Sequence, residues 1–513
     1  MSPSEEAQSV TSSDESPSSN SSTPPPSTSV FHEPTIKYHM SLLPSTHISA
    51  TTEGYEHAPI ISSHVLHEDQ KHANQITQYG LLAASIRPLL STNPDEPEND
   101  PRLFFNVTHP SSTFICGSQG SGKSHTLSCL LENCLIPSQA GRLTNPLTAV
   151  VFHYDTFTSD ESAYPCEAAW ISSHPDVKVR VFCAPTNLWT MQETYSEFNI
   201  PIEPLHIDQQ HLTTKRMMDL MAVSQTDGEM PLYMHTVKRI LREMRIRQQE
   251  TKTGFNYNEF KKQVLGSGLT PAQVAPLQQR LDTLESFMPQ AQVARWSSRN
   301  VQQKKEKGSS WDAVPGQLTI VDLSCPCISP ETACSLFNIC LGIFLKPDPE
   351  GIGRVVALDE AHKYMTTTPE SQLFTETLLS TVRLQRHLGA RVIISTQEPT
   401  ISTTLLNLCS VIVVHRFTSP EWLRILTRHV AGAVRGAFTS RTNPNCKPVG
   451  GEEEEEVATS LFEDIVRLGV GEALVFAPNA VVGTGMRKLG EGVLGVKVRA
   501  RLTEDGGRSL LSG

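Results

Sequence analysis

The sequence predicts an α/β fold in which a mostly parallel central sheet is flanked by helices. Three observations support this prediction. After residue 110, short β-rich apolar runs alternate with helical patterns; one run leads through a glycine-rich loop into a helix; and another ends in two adjacent acids. Continuous apolar runs are typical of parallel strands buried on both faces. The predicted strands are residues 113–116, 148–154, 177–183, 318–323, 354–358, 392–395, 410–415 and 472–476.

Composition divides the chain into six segments. Residues 1–30 contain 12 serines and three consecutive prolines, which predicts a disordered tail. The acidic run 452–456 is interpreted as a solvated loop before a new helix. The predicted segments are the Ser/Pro-rich tail at 1–30, an irregular N-terminal region and acidic linker at 31–110, the first part of the core at 111–183, a mainly helical insertion at 184–315, the second part of the core at 316–502, and a flexible C-terminal tail at 503–513.

Charge and apolar content exclude several classes of protein. The net charge of −11 argues against a chain that coats nucleic acid with its whole surface. The N-terminus lacks the basic-then-apolar pattern of a secretory signal, and the longest apolar run, 333–345, is shorter than the ~20 residues that span a bilayer. We therefore expect a protein that is not secreted, has no transmembrane segment and resides in the cytoplasm or nucleus. The 11 cysteines are expected to be free thiols, those near Cys325 as small apolar side chains rather than zinc ligands.

The glycine-rich loop has the pattern Gly-x4-Gly-Lys-Ser. It consists of Gly117, Ser118, Gln119, Gly120, Ser121, Gly122, Lys123 and Ser124. Such a loop turns several backbone N–H groups towards a phosphate, and the helix that follows adds its positive dipole end. Lys123 would then reach the β- and γ-phosphates of ATP, and the Ser124 hydroxyl would bind Mg²⁺. The alternative is a glycine-rich turn without a ligand.

The two adjacent acids are Asp359 and Glu360, at the end of the apolar run 354–358. Side chains alternate along a strand, so one acid can face a metal ion while the next faces the γ-phosphate. Asp359 would hold Mg²⁺ through water, and Glu360 would orient or deprotonate the attacking water. The alternative is a pair of surface acids at the start of a helix.

A third polar tip follows the run 392–395. Parallel sheets bind ligands at the carboxyl ends of their strands, so Gln397 would contact the γ-phosphate or the lytic water. The alternative is an ordinary strand exit.

Together these motifs resemble the HerA/FtsK superfamily of P-loop ATPases. The resemblance rests on the phosphate loop, on residues 355–362 with their Asp-Glu-Ala-His, on the run 383–399, on 408–417 followed by Ser-Pro-Glu-Trp, and on 468–476. It implies a RecA-like P-loop NTPase fold, assembly into a ring that is usually a hexamer, and ATP-driven movement of double-stranded DNA. It also implies an arginine supplied by the neighbouring subunit. By motif match this is Arg386 or Arg383, with Arg416 as a further candidate; the alternative is that these arginines cap helices or pair with acids.

The sequence therefore favours a Mg²⁺-dependent ATPase, a ring-forming motor that acts on DNA. A basic cluster within a predicted helix, comprising Lys238, Arg239, Arg242, Arg245 and Arg247, is either a local nucleic-acid patch or a solvated helix face. Two other functions are weighed: a nucleotide-switched scaffold that binds ATP, hydrolyses it slowly and recruits a protein partner, and small-molecule phosphotransfer.

Overall fold

The computed structural model describes residues 54–72, 74–86, 100–159, 163–221, 232–293, 307–347, 349–430, 452–483 and 486–506. The tail predicted at 1–30, most of the acidic linker and the last residues of the predicted C-terminal tail lie outside the described residues. The strands, numbered along the chain, are β1 (Ile60–Ser62), β2 (Tyr79–Ser85), β3 (Arg102–Asn106), β4 (Ser112–Cys116), β5 (Gly141–Arg142), β6 (Thr148–His153), β7 (Lys178–Cys183), β8 (Ile202–Pro204), β9 (Gln317–Asp322), β10 (Arg354–Leu358), β11 (Ala390–Thr396), β12 (Val411–His415), β13 (Glu472–Phe476), β14 (Val481–Val482), β15 (Arg487–Lys488) and β16 (Leu494–Val498).

The helices cover the sheet and form the insertion. They are α1 (Ser63–His72), α2 (Lys123–Leu135), α3 (Leu188–Thr194), α4 (Thr214–Met221), α5 (Leu232–Thr251), α6 (Tyr257–Leu265), α7 (Pro271–Ser286), α8 (Gln290–Val293), α9 (Pro330–Phe344), α10 (Pro369–Arg383), α11 (Gln385–Leu388), α12 (Thr403–Leu408), α13 (Pro420–His429) and α14 (Glu452–Arg467). Short 3₁₀ turns lie at Tyr55–His57, Glu167–Ser173, Pro185–Asn187, Ser196–Phe198, Gln209–His211 and Ala361–Lys363. Among the described residues no helix combines the length and apolarity that crossing a bilayer requires.

The predicted fold class is confirmed, because eight neighbouring strands form a parallel sheet in the order β12-β4-β11-β10-β6-β9-β7-β8. All eight apolar runs that the sequence predicts as strands are strands: seven belong to this parallel series, and the eighth is β13. Every residue of β4, β6, β10, β11 and β12 is buried. Alternate side chains of these strands point into two apolar cores, one on each face of the sheet.

The sheet continues beyond β12 through antiparallel strands in the order β13-β16-β2-β3-β1. The expectation of an irregular region at 31–110 is therefore wrong for its described part, which contains β1, β2, β3 and α1. Strand β2 reads Tyr-Gly-Leu-Leu-Ala-Ala-Ser and its register shifts between Leu81 and Ala83. Gly, Ala and Ser have low strand propensity, so pairing with distant strands decides this conformation rather than the local sequence.

Several helices begin with a Ser or Thr cap followed by proline. The Ser329 hydroxyl accepts the Thr332 N–H before α9, and Ser419 accepts the Trp422 N–H before α13. Such caps satisfy helix N–H groups that have no partner within the helix, and proline at the first position lacks one of those N–H groups. Helix α9 contains most of the long apolar run and is buried, which explains that run as core.

The acidic run 452–456 is helical, not a loop as the sequence analysis expects, because it opens α14. Glutamate is a good helix former, and acidic residues in a first turn interact favourably with the helix dipole.

The insertion between β7 and β9 contains helices α3 to α8, together with the short edge strand β8, which pairs with β7. Most of its buried residues belong to the same core as α9 and α10, whereas Met191, Tyr195 and Phe198 belong to the core on the other face of the sheet. Those in the first core include Met217, Met221, Val237, Leu241, Phe260, Leu277 and Leu281. Arg280 on α7 forms an ion pair with Glu370 on α10 at 3.1 Å. The insertion therefore packs directly on the helices that cover the parallel sheet.

The chain after β16 lies across α2, the helix that follows the glycine-rich loop. Glu132 on α2 is fully buried and accepts hydrogen bonds from Arg499 Nη1 (2.8 Å), from the backbone N–H of Leu502 (3.0 Å), and from the N–H and hydroxyl of Thr503 (3.1 and 2.6 Å). The expectation of a flexible tail from residue 503 is thus wrong for Thr503, which is buried. The partner that fixes it is 371 positions away in the sequence.

Candidate functional site

The glycine-rich loop connects β4 to α2 and has the backbone that only glycine adopts readily. Gly117 and Gly122 have φ angles of 150° and 110°. A Cβ atom on Gly117 would lie 2.7 Å from the Cβ of His415, and one on Gly122 would lie 3.0 Å from the Cα of Gly471. Glycine at these two positions therefore lets the loop pass against two neighbouring segments.

The loop is held by contacts with the ends of neighbouring strands. The N–H and hydroxyl of Ser118 both donate to the Arg416 carbonyl oxygen, at 2.9 and 2.8 Å. The Ser121 carbonyl accepts the Gly471 N–H at 3.1 Å. Lys123 Nζ donates to the Ser118 carbonyl at 3.1 Å, so the ammonium group folds back over the loop. Burial lowers the pKa of Lys123, and the nearby Glu360 and Asp359 oppose that shift.

Asp359 comes directly after β10 and is almost completely buried. Its Oδ2 lies 3.1 Å from His153 Nδ1, and the Cys166 thiol donates to the same oxygen at 3.6 Å. Burial favours protonation of Asp359, but these hydrogen bonds and the His153 charge outweigh it and keep the pKa of Asp359 below its usual value. Its other oxygen, Oδ1, is buried and has no hydrogen-bond partner among the described residues.

Glu360 has a left-handed backbone conformation, with a φ of 47°, which is uncommon for a residue with a side chain. Burial, followed by the charge of Asp359, raises the pKa of Glu360. The two adjacent acids thus differ in pKa: Asp359 stays ionised, and Glu360 binds a proton more readily than an ordinary glutamate. Such a divergence is typical of carboxylates with different roles.

Gln397 follows β11, and its N–H lies 3.5 Å from His362 Nδ1. Burial and the adjacent Lys363 lower the pKa of His362 to about 4, so this imidazole is neutral at pH 7. Its 3.3 Å contact with Glu360 Oε2 is consequently not an ion pair at that pH. His362 therefore lies between Glu360 and the Gln397 backbone.

Strand order brings the three motifs together. Strand β11 lies between β10 and β4, with Leu358 opposite Ile394 and Thr396 opposite Cys116. The acids, Gln397 and the glycine-rich loop therefore follow three adjacent parallel strands at the same carboxyl edge of the sheet. This is the edge where open parallel sheets bind ligands.

The arginines lie in two different places. Arg383 ends α10 and Arg386 lies in α11, both before β11 begins, and both side chains are exposed. The two arginines therefore lie at the amino edge of the sheet. Strand β11 has seven residues, so the amino and carboxyl edges are about 20 Å apart at ~3.3 Å per residue. Neither arginine can reach the acids of its own chain. Arg416 instead lies beside its own glycine-rich loop, which its carbonyl contacts, so this geometry does not favour Arg416 as a residue for a neighbour's site.

Three residues at the same edge carry no motif and were not predicted. His153 and Cys166 contact Asp359, and His415 lies 2.9 Å from both Thr126 Oγ1 and the Glu472 carbonyl. Burial lowers the pKa of His415 to about 4. His153 and His415 are the last residues of β6 and β12. A search for polar residues at the ends of all predicted strands would therefore have found both.

The residues present fit a magnesium ion. The Asp359 carboxylate is ionised, and its Oδ1 is buried without a hydrogen-bond partner, as expected for an oxygen that binds a metal-bound water. Ser124 is the second residue of α2, at the end of the loop that also contains Lys123. Ser124 and Asp359 are thus the residues that would hold Mg²⁺ with a nucleotide.

The parallel sheet, with the glycine-rich loop at its carboxyl edge, is the RecA-like P-loop fold that the sequence predicts. No family model and no curated protein matches the chain. Among solved structures, VirB4 of Thermoanaerobacter pseudethanolicus is similar at 10% identity and a TM-score of 0.38, with 82% of this chain and 96% of that chain covered. The cytoplasmic domain of the type VII secretion ATPase EccC of Thermomonospora curvata aligns at 11% identity and a TM-score of 0.29, covering 83% and 29%.

The genome packaging NTPase B204 from Sulfolobus turreted icosahedral virus 2, in complex with ATP-gammaS, aligns at 13% identity and a TM-score of 0.20, covering 31% and 61%. At these identities and TM-scores the site still rests on the residues of this chain alone.

Proposed function

We propose that this chain is a Mg²⁺-dependent ATPase. The observation that carries the proposal is the meeting of Lys123, the acid pair and Gln397 at the carboxyl edge of three adjacent strands. In this proposal the N–H groups of residues 117–124 surround the β-phosphate, and Lys123 neutralises the β- and γ-phosphates. The Ser118 carbonyl that now accepts from Lys123 would be exchanged for phosphate oxygens.

Glu360 is the proposed general base or water-orienting residue. Its raised pKa increases its affinity for the proton of the attacking water, which a base with an ordinary carboxyl pKa would accept less readily. Gln397 would contact the γ-phosphate or that water. Mg²⁺, held by Ser124 and Asp359, would supply charge stabilisation for the phosphoryl group.

Arg386, or Arg383, is proposed to act in the site of a neighbouring subunit. Both lie at the amino edge of the sheet, about 20 Å from their own acids at ~3.3 Å per strand residue. An arginine from that edge can reach the carboxyl edge of another copy when chains assemble head to tail. The proposed assembly is therefore a ring, by resemblance a hexamer.

Double-stranded DNA is the proposed substrate of the motor, and helix α5 is its proposed contact. Its basic residues Lys238, Arg239, Arg242, Arg245 and Arg247 are all exposed. Arg239 forms an ion pair with Glu243, and Arg247 forms one with Glu259. Contacts between basic residues and phosphates release counterions, so DNA-stimulated turnover should fall steeply with salt.

Turnover of Lys123→Ala and Glu360→Gln tests the ATPase. We expect both to lose hydrolysis by ~10² to 10⁴, with ATP binding retained in Glu360→Gln. Lys178→Ala and Glu197→Gln, exposed positions away from this edge, are matched controls that should hydrolyse normally. Normal turnover in both site variants would reject the proposal. ATP binding with negligible turnover in the unmodified chain would favour the nucleotide-switched scaffold, and turnover that no duplex DNA changes at low salt would reject DNA as the substrate.

A further inference from the structure

Behind the acid pair lies a buried cluster of three different ligand types: the imidazole of His153, the thiol of Cys166 and the carboxylate of Asp359. Their exposed fractions are 5%, 0% and 3%. The three ligand atoms all lie within 4.8 Å of one another. They come from three separate elements, the tip of β6, the residue before the 3₁₀ turn Glu167–Ser173, and the tip of β10.

The distances between these atoms match the edges of a tetrahedral metal site. With typical Zn–N, Zn–O and Zn–S lengths, a tetrahedron places nitrogen and oxygen about 3.4 Å apart and sulfur and oxygen about 3.6 Å apart. The corresponding separations are 3.1 Å between His153 Nδ1 and Asp359 Oδ2, and 3.6 Å between Cys166 Sγ and the same oxygen. A cation could enter with little movement of the ligands.

Neighbouring groups hold the backbone of two of these ligands, Cys166 and Asp359. The Cys166 N–H donates to the Tyr195 hydroxyl at 2.9 Å, and that hydroxyl donates to Asp322 Oδ2 at 2.6 Å. The Asp359 N–H donates to the Phe152 carbonyl at 3.0 Å. These bonds hold the backbone of two of the three ligands in place, whereas His153 Nε2 is buried and has no hydrogen-bond partner among the described residues.

We propose that His153, Cys166 and Asp359 form a binding site for a thiophilic divalent cation of the Zn²⁺ class. Thiolate and imidazole ligands select such ions, whereas Mg²⁺ takes oxygen ligands. Binding replaces protons: the thiol proton of Cys166 and the proton between His153 and Asp359 leave to solvent as the metal–sulfur, metal–nitrogen and metal–oxygen bonds form. No electron is transferred.

The site has a consequence that rests on the proposed ATPase function. Asp359 is also the residue proposed to hold Mg²⁺, so a bound Zn²⁺ occupies the carboxylate that hydrolysis needs. Zn²⁺ would therefore inhibit turnover. Added Mg²⁺ would relieve the inhibition to the extent that Mg²⁺ competes with Zn²⁺ for Asp359. Removing Cys166 should abolish the inhibition.

Titration of the full chain with Co²⁺, which replaces Zn²⁺ and absorbs light, tests the site without any enzyme assay. We expect about one Co²⁺ per chain and a thiolate-to-cobalt charge-transfer band in the near ultraviolet. Zn²⁺ should displace the Co²⁺, and competition with a chromophoric chelator should give its affinity. Cys166→Ser should lose the charge-transfer band and weaken Zn²⁺ binding at least tenfold. The matched control is Cys183→Ser, at the buried tip of β7, which should keep both.

His153→Gln provides a second variant if Cys166→Ser fails to fold, and it should likewise weaken Zn²⁺ binding at least tenfold. A band that survives in folded Cys166→Ser, or no band in the unmodified chain, would overturn the site. Zn²⁺ binding without inhibition would keep the site and reject the role of Asp359 in hydrolysis. Hydrolysis lost in Lys123→Ala, together with no Zn²⁺ binding, would keep the ATPase and reject the site.

Discussion

Replacing Glu132 with alanine removes the buried acceptor that joins α2 to the chain after β16. Glu132 accepts four hydrogen bonds, one of them from the guanidinium of Arg499 at 2.8 Å. The Arg499 and Arg501 side chains are only 7% and 2% exposed, so water cannot replace the lost carboxylate. Breaking a buried ion pair by removing one partner costs about 3–5 kcal/mol. Carbonyl acceptors and Glu167 still contact the two arginines, so we expect a loss of ~4 kcal/mol rather than more.

Denaturant unfolding followed by circular dichroism measures this loss. The midpoint should fall while the slope stays unchanged, because the change alters stability and not the surface exposed on unfolding. Glu132→Gln keeps one carbonyl acceptor and should lose less than the alanine variant. Glu197→Ala removes an exposed glutamate and should stay within about 0.5 kcal/mol of the unmodified chain. A loss below ~1 kcal/mol for Glu132→Ala would refute the reasoning that a buried charge network fixes the C-terminal segment.

Three further predictions concern the site and the proposed substrate. Arg386→Ala and Glu360→Gln should each be inactive. In an equal mixture of the two variants, activity should return at roughly a quarter of the interfaces, because at those an intact arginine faces an intact glutamate. A mixture that assembles but stays inactive would contradict action between subunits. The pKa of His415 is lowered to about 4, so the unfolded chain binds more protons than the folded one between pH ~6.5 and 4. The free energy of unfolding should therefore fall as pH falls through that window. His415→Asn should reduce this dependence on pH, measured by unfolding at several pH values, and an unchanged dependence would count against the role of His415. Replacing both Arg242 and Arg245 with glutamate should reduce duplex-DNA stimulation and its salt dependence without changing basal turnover, and equal stimulation at low salt would remove α5 as the DNA contact.

Seven of the eight parallel strands were predictable, because each is a continuous apolar run next to a turn or helix signal. The short edge strand β8 was not predicted. Strand β10 is fully buried and the sequence places it without error. Among the antiparallel strands, β13 was predicted by the same signal, but β1, β2, β3 and β16 were not. Strand β1 has three residues, and β2 is stabilised by β16 rather than by its own composition.

The same distinction applies to the site. The glycine-rich loop and the acid pair are contiguous motifs, so spacing alone predicts them. His153 and Cys166 are 206 and 193 positions from Asp359 in the sequence. His153 has one local signal, its place at the end of a strand, whereas nothing near Cys166 marks it as a site residue. Glu132 lies within an apolar helix, and its contacts with Arg499, Leu502 and Thr503, far away in the sequence, explain the buried charge there. The roles of the individual site residues stay predictions.

The pairing of β2 with β16 also affects how the protein is made. Ser85 pairs with Val496, so roughly 400 residues must follow β2 before its partner exists. At 5–20 residues per second a ribosome needs roughly 20–80 s for that stretch. During this interval the edge of β2 that awaits β16 has unsatisfied backbone groups, and such edges pair readily with other chains. In a growing polypeptide this edge therefore has to be protected until the end of translation, either because β2 folds slowly or because a chaperone covers it.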